Sequence, residues 1–149
     1  MAKKGEVFFL ETAKGRAYFQ YHSRNKLMGE LVRVIKGEYP SDIDVSSVVG
    51  AGTRFWIFFH IAAALKSGLI SSCGVFPIPE DAKDFPVFRA GSRDKEGKIE
   101  SWWFWDGEKE WFVGHITDEQ KKMPMRSIWG ENILINRIES GWLPENDKS

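Results

Sequence analysis

Cys73 is the only cysteine in 149 residues, so the chain holds no internal disulfide and no cysteine-based zinc site. Charge of one sign is equally lacking, with 21 basic and 21 acidic side chains. That balance removes the electrostatic footprint of a nucleic-acid binder. No apolar run reaches the ~18–20 residues that span a bilayer; Phe55 to Leu65 is broken by His60. The opening Met1-Ala-Lys-Lys-Gly-Glu6 has no signal-peptide core. These absences lead us to expect a soluble, cytoplasmic protein with no membrane partner and no direct nucleic-acid partner. A phosphate loop, dinucleotide fingerprint, nucleophile elbow and His-Glu-x-x-His helix are missing as well. At this length one domain, 1–149, can bury a core without a disulfide or metal staple.

Tryptophan is what the chain has in excess. Ser101 to Gly114 holds Trp102, Trp103, Trp105 and Trp111, four of the seven in the sequence. Asp106-Gly107 between two aromatic runs is a strong hairpin signal. Whether the loop is Asp106-Gly107 or Asp106 to Lys109, the pairing parity is the same. Strand alternation then puts Trp102, Phe104, Trp111 and Val113 on one face. Trp103, Trp105 and Phe112 share the other face with Glu108 and Glu110. The first face carries only apolar groups and is expected in the core, with Trp102 and Trp111 structural. The mixed face is expected to be half covered. Two readings of Trp103 and Trp105 stay open: core packing beneath the last helix or the Phe76–Phe88 connection, or a recognition surface.

Elsewhere, short apolar runs separated by turns predict strands over Gly5–Glu11, Arg16–His22 and Gly29–Lys36, joined as an antiparallel meander. In the third, Arg33 falls between Leu31 and Ile35 on one parity. Ser41 to Asp44 could cap one helical turn. Arg54–His60 is apolar on both parities and predicts a central strand buried on both faces. Ile61–Ser67 switches to helix formers, with Gly68 suited to close the turn. Leu69–Phe76 reads as a strand, and Phe85–Phe88 as extended around Pro86. Thr117-Asp-Glu-Gln120 matches a capping box before a short helix limited by Pro124. A longer helix is expected within Ser127–Ser140, stopped by Gly141, and Glu145–Ser149 should fray. The expected class is α+β, predominantly antiparallel β, as a curved sheet or partial barrel with a C-terminal helix.

Candidate chemistry is sparse. His22, His60 and His115 fall on separate strands or strand ends, and hydrogen-bonded strand termini explain them more simply than a zinc site does. Cys73 would need a base and an electropositive setting to act as a nucleophile. Glu108, Glu110, Asp118 and Glu119 gather near the hairpin turn, where a solvated turn accounts for them without acid–base work. The charges interleaved with the tryptophans are glutamates, which would repel the phosphates of a stacked single strand.

The segment Ser127-Ile-Trp-Gly-Glu-Asn-Ile-Leu-Ile-Asn-Arg137 resembles the Trp-Gly-x-x-x-hydrophobic…Arg segment of the immunity protein 26 family of bacterial polymorphic toxin systems. Three further stretches look similar: Gly5-Glu-Val-Phe8 with the strand through Ala17-Tyr18, His60 to Gly68, and Phe76 to Phe88. The pieces are short, and they follow the family's order over most of the chain. The tryptophan-rich hairpin departs from the plainer aromatic–Asp-Gly turn usual in that family. The resemblance implies a mostly β domain that neutralises a cognate toxin domain by binding it, without catalysis or cofactor. It carries over Trp129, Gly130 and Arg137 as structural positions. Trp129 should dock the last helix, and Arg137 should pair with a carboxylate or with backbone carbonyls.

The leading expectation is therefore a toxin-binding immunity protein, with no cofactor and no metal. Trp103 and Trp105 would anchor the partner, and Glu108 and Glu110 would steer it. The runner-up is a small-ligand or glycan-binding β domain that uses its aromatics as a stacking platform. A carboxylate hydrolase ranks third. A flat or convex aromatic patch would favour the first, and a concave aromatic-lined pocket the second.

Overall fold

Alternating apolar residues cut by glycine-bearing turns fold the first third of the chain into a meander of β1 (Glu6–Thr12), β2 (Gly15–Asn25) and β3 (Gly29–Ile35). The structure is a computed structural model that describes residues 1–147. After α1 (Val45–Val49), whose N-cap Asp44 accepts the Ser46 amide at 3.1 Å, β4 (Thr53–Phe59) pairs antiparallel with β3. Asp44 thus caps the helix that follows it, and the turn expected over Ser41–Asp44 lies outside that helix. α2 (Ile61–Ser67) ends at Gly68 in the left-handed conformation, φ 79°, as expected. β5 (Ser71–Val75) returns to the far edge beside β1.

The remaining strands form a second sheet. β6 (Phe88–Ala90), β7 (Trp102–Trp105) and β8 (Glu110–Gly114) are antiparallel in the order β6-β7-β8. The six-stranded sheet has the order β5-β1-β2-β3-β4-β9, where β9 (Ile128–Trp129) lies parallel to β4. The class is α+β with mostly antiparallel strands, as expected. The strands lie in two sheets, and no closed barrel is present among the described residues.

Parity decides what each face of the larger sheet meets. Phe8, Phe19, Val34 and Phe55 form one register row across four strands. With their neighbours they pack under Ile61 and Ala64 of α2 and under Leu134 and Ile138 of α3 (Glu131–Ser140). On the opposite face α1 covers one end, placing Val48 and Val49 against Val7, Tyr18 and Ile35. The three-stranded sheet covers the other end through Leu31, Phe58, Phe88 and Trp105. β4 is therefore buried on both faces, as its unbroken apolar run requires.

A polar seam runs between those two clusters. Arg33 is 1% exposed and donates to Gln20 Oε1 (2.8 Å), Thr53 Oγ1 (3.2 Å) and the Val49 carbonyl (2.9 Å). Gln20 in turn donates to the carbonyls of Gly5 and Phe76 at 3.1 and 3.0 Å. A buried cation is tolerable when its donors are satisfied. These neutral oxygens supply that, although burial still pushes the Arg33 pKa down.

The last helix lies within Ser127–Ser140 and stops at Gly141, as expected, while the stretch before it and the tail after it take forms of their own. Ser127 to Gly130 is extended, because the Ser127 carbonyl accepts the Phe58 amide and Trp129 pairs with Phe59. The helix begins only at Glu131, after Gly130 as its N-cap. Trp129 is buried as expected, but as part of a strand. The Arg137 guanidinium lies over two indoles, 4.5 Å from the Trp129 ring centre and 4.3 Å from that of Trp142. Asp147 adds electrostatic attraction to these contacts. Pro144–Asn146 forms a 3-10 turn instead of fraying, and Asp147 meets Arg93 at 2.9 Å. Lys148 and Ser149, the rest of the tail expected to fray, lie outside the described residues.

Candidate functional site

The hairpin uses the four-residue loop, with Trp105 opposite Glu110 and Phe104 opposite Trp111. Asp106 Oδ1 accepts the amides of Glu108 (3.0 Å) and Lys109 (2.8 Å), and these bonds hold its carboxyl below the usual range. Gly107 takes φ 99°, and a Cβ there would stand 2.8 Å from the Phe85 ring. Its carbonyl accepts Asn25 Nδ2 at 3.2 Å, so the tip is tied to the larger sheet. Glycine is required here for conformation and for space.

The four tryptophans divide differently from their expected faces. Trp102 is buried as expected. Trp111, expected in the core beside it, is 41% exposed. It lies on the outer strand and forms an edge-to-face pair with Phe104, 6.2 Å between ring centres. Trp105, expected on a half-covered face, is 3% exposed and closed in by Phe58, Phe85 and Phe88. The cover is the Phe76–Phe88 connection, one of the two elements considered for it. Two residues earlier on the same face, Trp103 remains 38% exposed. It forms an edge-to-face pair with Phe112, 5.3 Å between ring centres, and Phe112 is 59% exposed.

The charges around this patch are mostly engaged. Glu110 pairs with Arg126, whose guanidinium also lies 5.4 Å from the Trp105 ring centre. Asp118 pairs with Lys121 at 3.7 Å and Glu119 with Lys122 at 3.1 Å. Three of the four carboxylates, Glu110, Asp118 and Glu119, therefore attend separate cations instead of one another. Glu108 is exposed at the turn. Of the four residues expected to meet a partner, Trp103 and Glu108 face solvent, Glu110 does so while ion-paired, and Trp105 braces the scaffold.

The histidines and the cysteine stay apart. His22 is buried, with Nε2 2.7 Å from the Lys83 carbonyl and Nδ1 2.7 Å from Ser23 Oγ. Burial lowers its pKa, and the Lys83 carbonyl, which can only accept, places a proton on Nε2. Burial pushes the Cys73 thiol up, opposite to what an activated nucleophile needs. No group of three or more His, Cys, Asp or Glu side chains is disposed to hold a metal among the described residues.

One organising residue escaped the sequence reading. Arg89, 1% exposed, donates to the carbonyls of Lys121 (3.2 Å), Met123 (3.1 Å) and Pro144 (2.8 Å), and lies 4.6 Å from the Trp102 ring centre. It fastens the segment after the hairpin, and the 3-10 turn near the C-terminus, to the smaller sheet. An arginine in a three-residue strand gives no sign of burial by itself. The one available signal was its position between two apolar residues, Phe88 and Ala90, on the opposite parity.

Trp103 borders two shallow depressions. One, of about 280 Å³, also has Arg89, Ser92, Glu110 and Arg126 in its lining. The other, of about 360 Å³, is flanked by Arg93, Asp94, Lys98 and Glu100. In each, Trp103 is the only aromatic side chain of the lining. Compared with known protein families, curated proteins and solved structures, the chain has no significant match.

Proposed function

We propose that this protein binds and neutralises a toxin domain by stoichiometric protein–protein association, as an immunity protein of a polymorphic toxin system. The observation that carries the reading is the exposed aromatic pair of Trp103 and Phe112 on a hairpin tied at its base and tip to the larger sheet, with Trp111 exposed on the opposite face. Tryptophan and other large aromatics anchor protein interfaces because they bury much area at small conformational cost. A stiff mounting reduces the ordering cost of binding. The resemblance of Ser127–Arg137 to the immunity protein 26 segment points the same way. Catalysis, a cofactor and a membrane partner form no part of this reading, and a cytoplasmic toxin domain is the partner. The glycan-binding alternative would want several rings around one hollow, and Trp103 enters both of its depressions alone.

Co-expression with the toxin domain encoded beside this gene tests the proposal. Cells should survive, and the purified pair should form a complex of fixed stoichiometry. Trp103→Ala with Phe112→Ala should abolish protection while the protein stays folded, and Glu108→Lys should mainly slow association. Unimpeded killing in the presence of the folded wild-type protein contradicts the reading.

A further inference from the structure

The edges of the two sheets are finished in different ways. At one end of the larger sheet β9 has two residues; at the other, β5 presents Ser71, Ser72, Cys73 and Gly74 with a register shift against β1. Such short, small-residue or irregular edges discourage pairing. In the smaller sheet β6 is covered, since Arg89 donates its amide to the Pro124 carbonyl (2.9 Å) and accepts from the Arg126 amide (3.0 Å). Among the described residues β8 is the open edge that carries aromatic side chains, Trp111 and Phe112, where β5 of equal length offers only Val75 among small residues.

Its outward hydrogen-bonding groups follow from the loop. Asp106 donates its amide to the Lys109 carbonyl at 3.1 Å. Antiparallel alternation then makes Phe104–Trp111 the next hydrogen-bonded pair and leaves Trp105–Glu110 and Trp103–Phe112 as non-bonded pairs. Glu110 and Phe112 consequently turn their N–H and C=O away from β7. Beyond them the register shifts, with Trp102 opposite Gly114, so the regular edge ends at Phe112.

We infer that two copies of the chain pair through β8, antiparallel about a two-fold axis at Trp111, joining the two smaller sheets into one. This register matches Glu110 of each copy with Phe112 of the other, and each such pair exchanges two backbone hydrogen bonds. It sets the two Trp111 rings side by side across the axis. Lys109 falls opposite Val113 and Glu108 opposite Gly114, so no like charges meet. A two-fold at Phe112 would instead run each strand into the other's register shift. The interface is small, so the association is weak and reversible. The inference does not rest on the toxin reading, although both draw on the exposed side chains of β8.

Sedimentation of the purified full-length chain across concentration, with amide exchange at low and high concentration, tests it. The mass should rise from 17.1 kDa toward twice that value. The Glu110 and Phe112 amides should gain protection over the same range. Phe112→Pro removes an outward N–H at an edge position proline tolerates, together with an exposed ring whose neighbour is Trp103. It should keep the fold, judged by circular dichroism, and weaken association roughly tenfold or more through one lost bond at each symmetry-related site. Trp111→Lys, which sets like charges on the axis, should leave a monomer. A wild-type monomer at millimolar concentration overturns the inference, as does a dimer in which Phe112 stays unprotected. A chain whose β8 amides become protected only when the toxin domain is added assigns the edge to that partner and likewise overturns self-pairing.

Discussion

In the larger sheet, β2, β3 and β4 bury side chains on both faces, and helices or a second sheet lie over each. In the smaller sheet β6 and β7 are mostly buried, while β8 beside them leaves Trp111 and Phe112 in solvent. The residue types hardly differ between the two; aromatics crowd both. The difference lies in what is stacked above each strand. Trp103 and Trp105 show it within one strand, because buried Phe88 and half-buried Phe85 reach over the second, whereas the first meets Phe112, which is itself exposed. The lesson is that hydrophobicity earns a side chain a place in the core only where another element arrives to cover it.

This contrast can be broken by mutation. Phe58→Ala, at the junction of the sheets, should destabilise the protein by about 3–5 kcal/mol in urea unfolding, from lost transfer energy plus the cavity. Arg89→Met keeps the bulk but strands three carbonyls, and should cost about 3 kcal/mol. Amide exchange should then show the 121–126 segment opening before the larger sheet does.

Acid should sharpen the comparison further. The His22 pKa is lowered in the folded protein, by burial first, and Lys4 opposes the charge as well. The unfolded chain therefore binds the proton more readily. The contribution of His22 is fully present above the unfolded value of about 6.5 and is lost as pH falls below it, at no more than about 1.4 kcal/mol per pH unit. His22→Gln should flatten that part of the stability–pH curve; an unchanged slope would show that another group carries it. At the small end, Phe112→Ser on the open strand should alter stability by no more than about 0.5 kcal/mol.

Much of the fold was legible in the chain. The meander came from alternation and turns, the β4 burial from an apolar run on both parities, the end of α2 from Gly68, and the hairpin from Asp106-Gly107. The Thr117–Gln120 capping box is present as well: Thr117 Oγ1 accepts the Gln120 amide at 3.1 Å and Gln120 Oε1 accepts the Thr117 amide at 2.9 Å. Parity states which residues share a face, however, and says nothing of what lies over it. Hence Trp111 and Trp105 changed places, and Arg33 was seen on a core parity without its burial being foreseen. Ser127–Gly130 is held extended by β4, a tertiary partner no local pattern contains. The candidate site was legible only as a region, since its extent depends on that same coverage.

The division of one aromatic strand into a brace and an exposed anchor is the centre of this account, and Trp105→Ala and Trp103→Ala compared in the same urea titration test it most directly. Trp105→Ala should lose about 3–5 kcal/mol as a core truncation. Trp103→Ala should lose about 1 kcal/mol, as a substitution on a surface still open to water. Equal losses, or a larger loss at Trp103, would contradict the assignment of Trp105 to the scaffold and Trp103 to the binding surface.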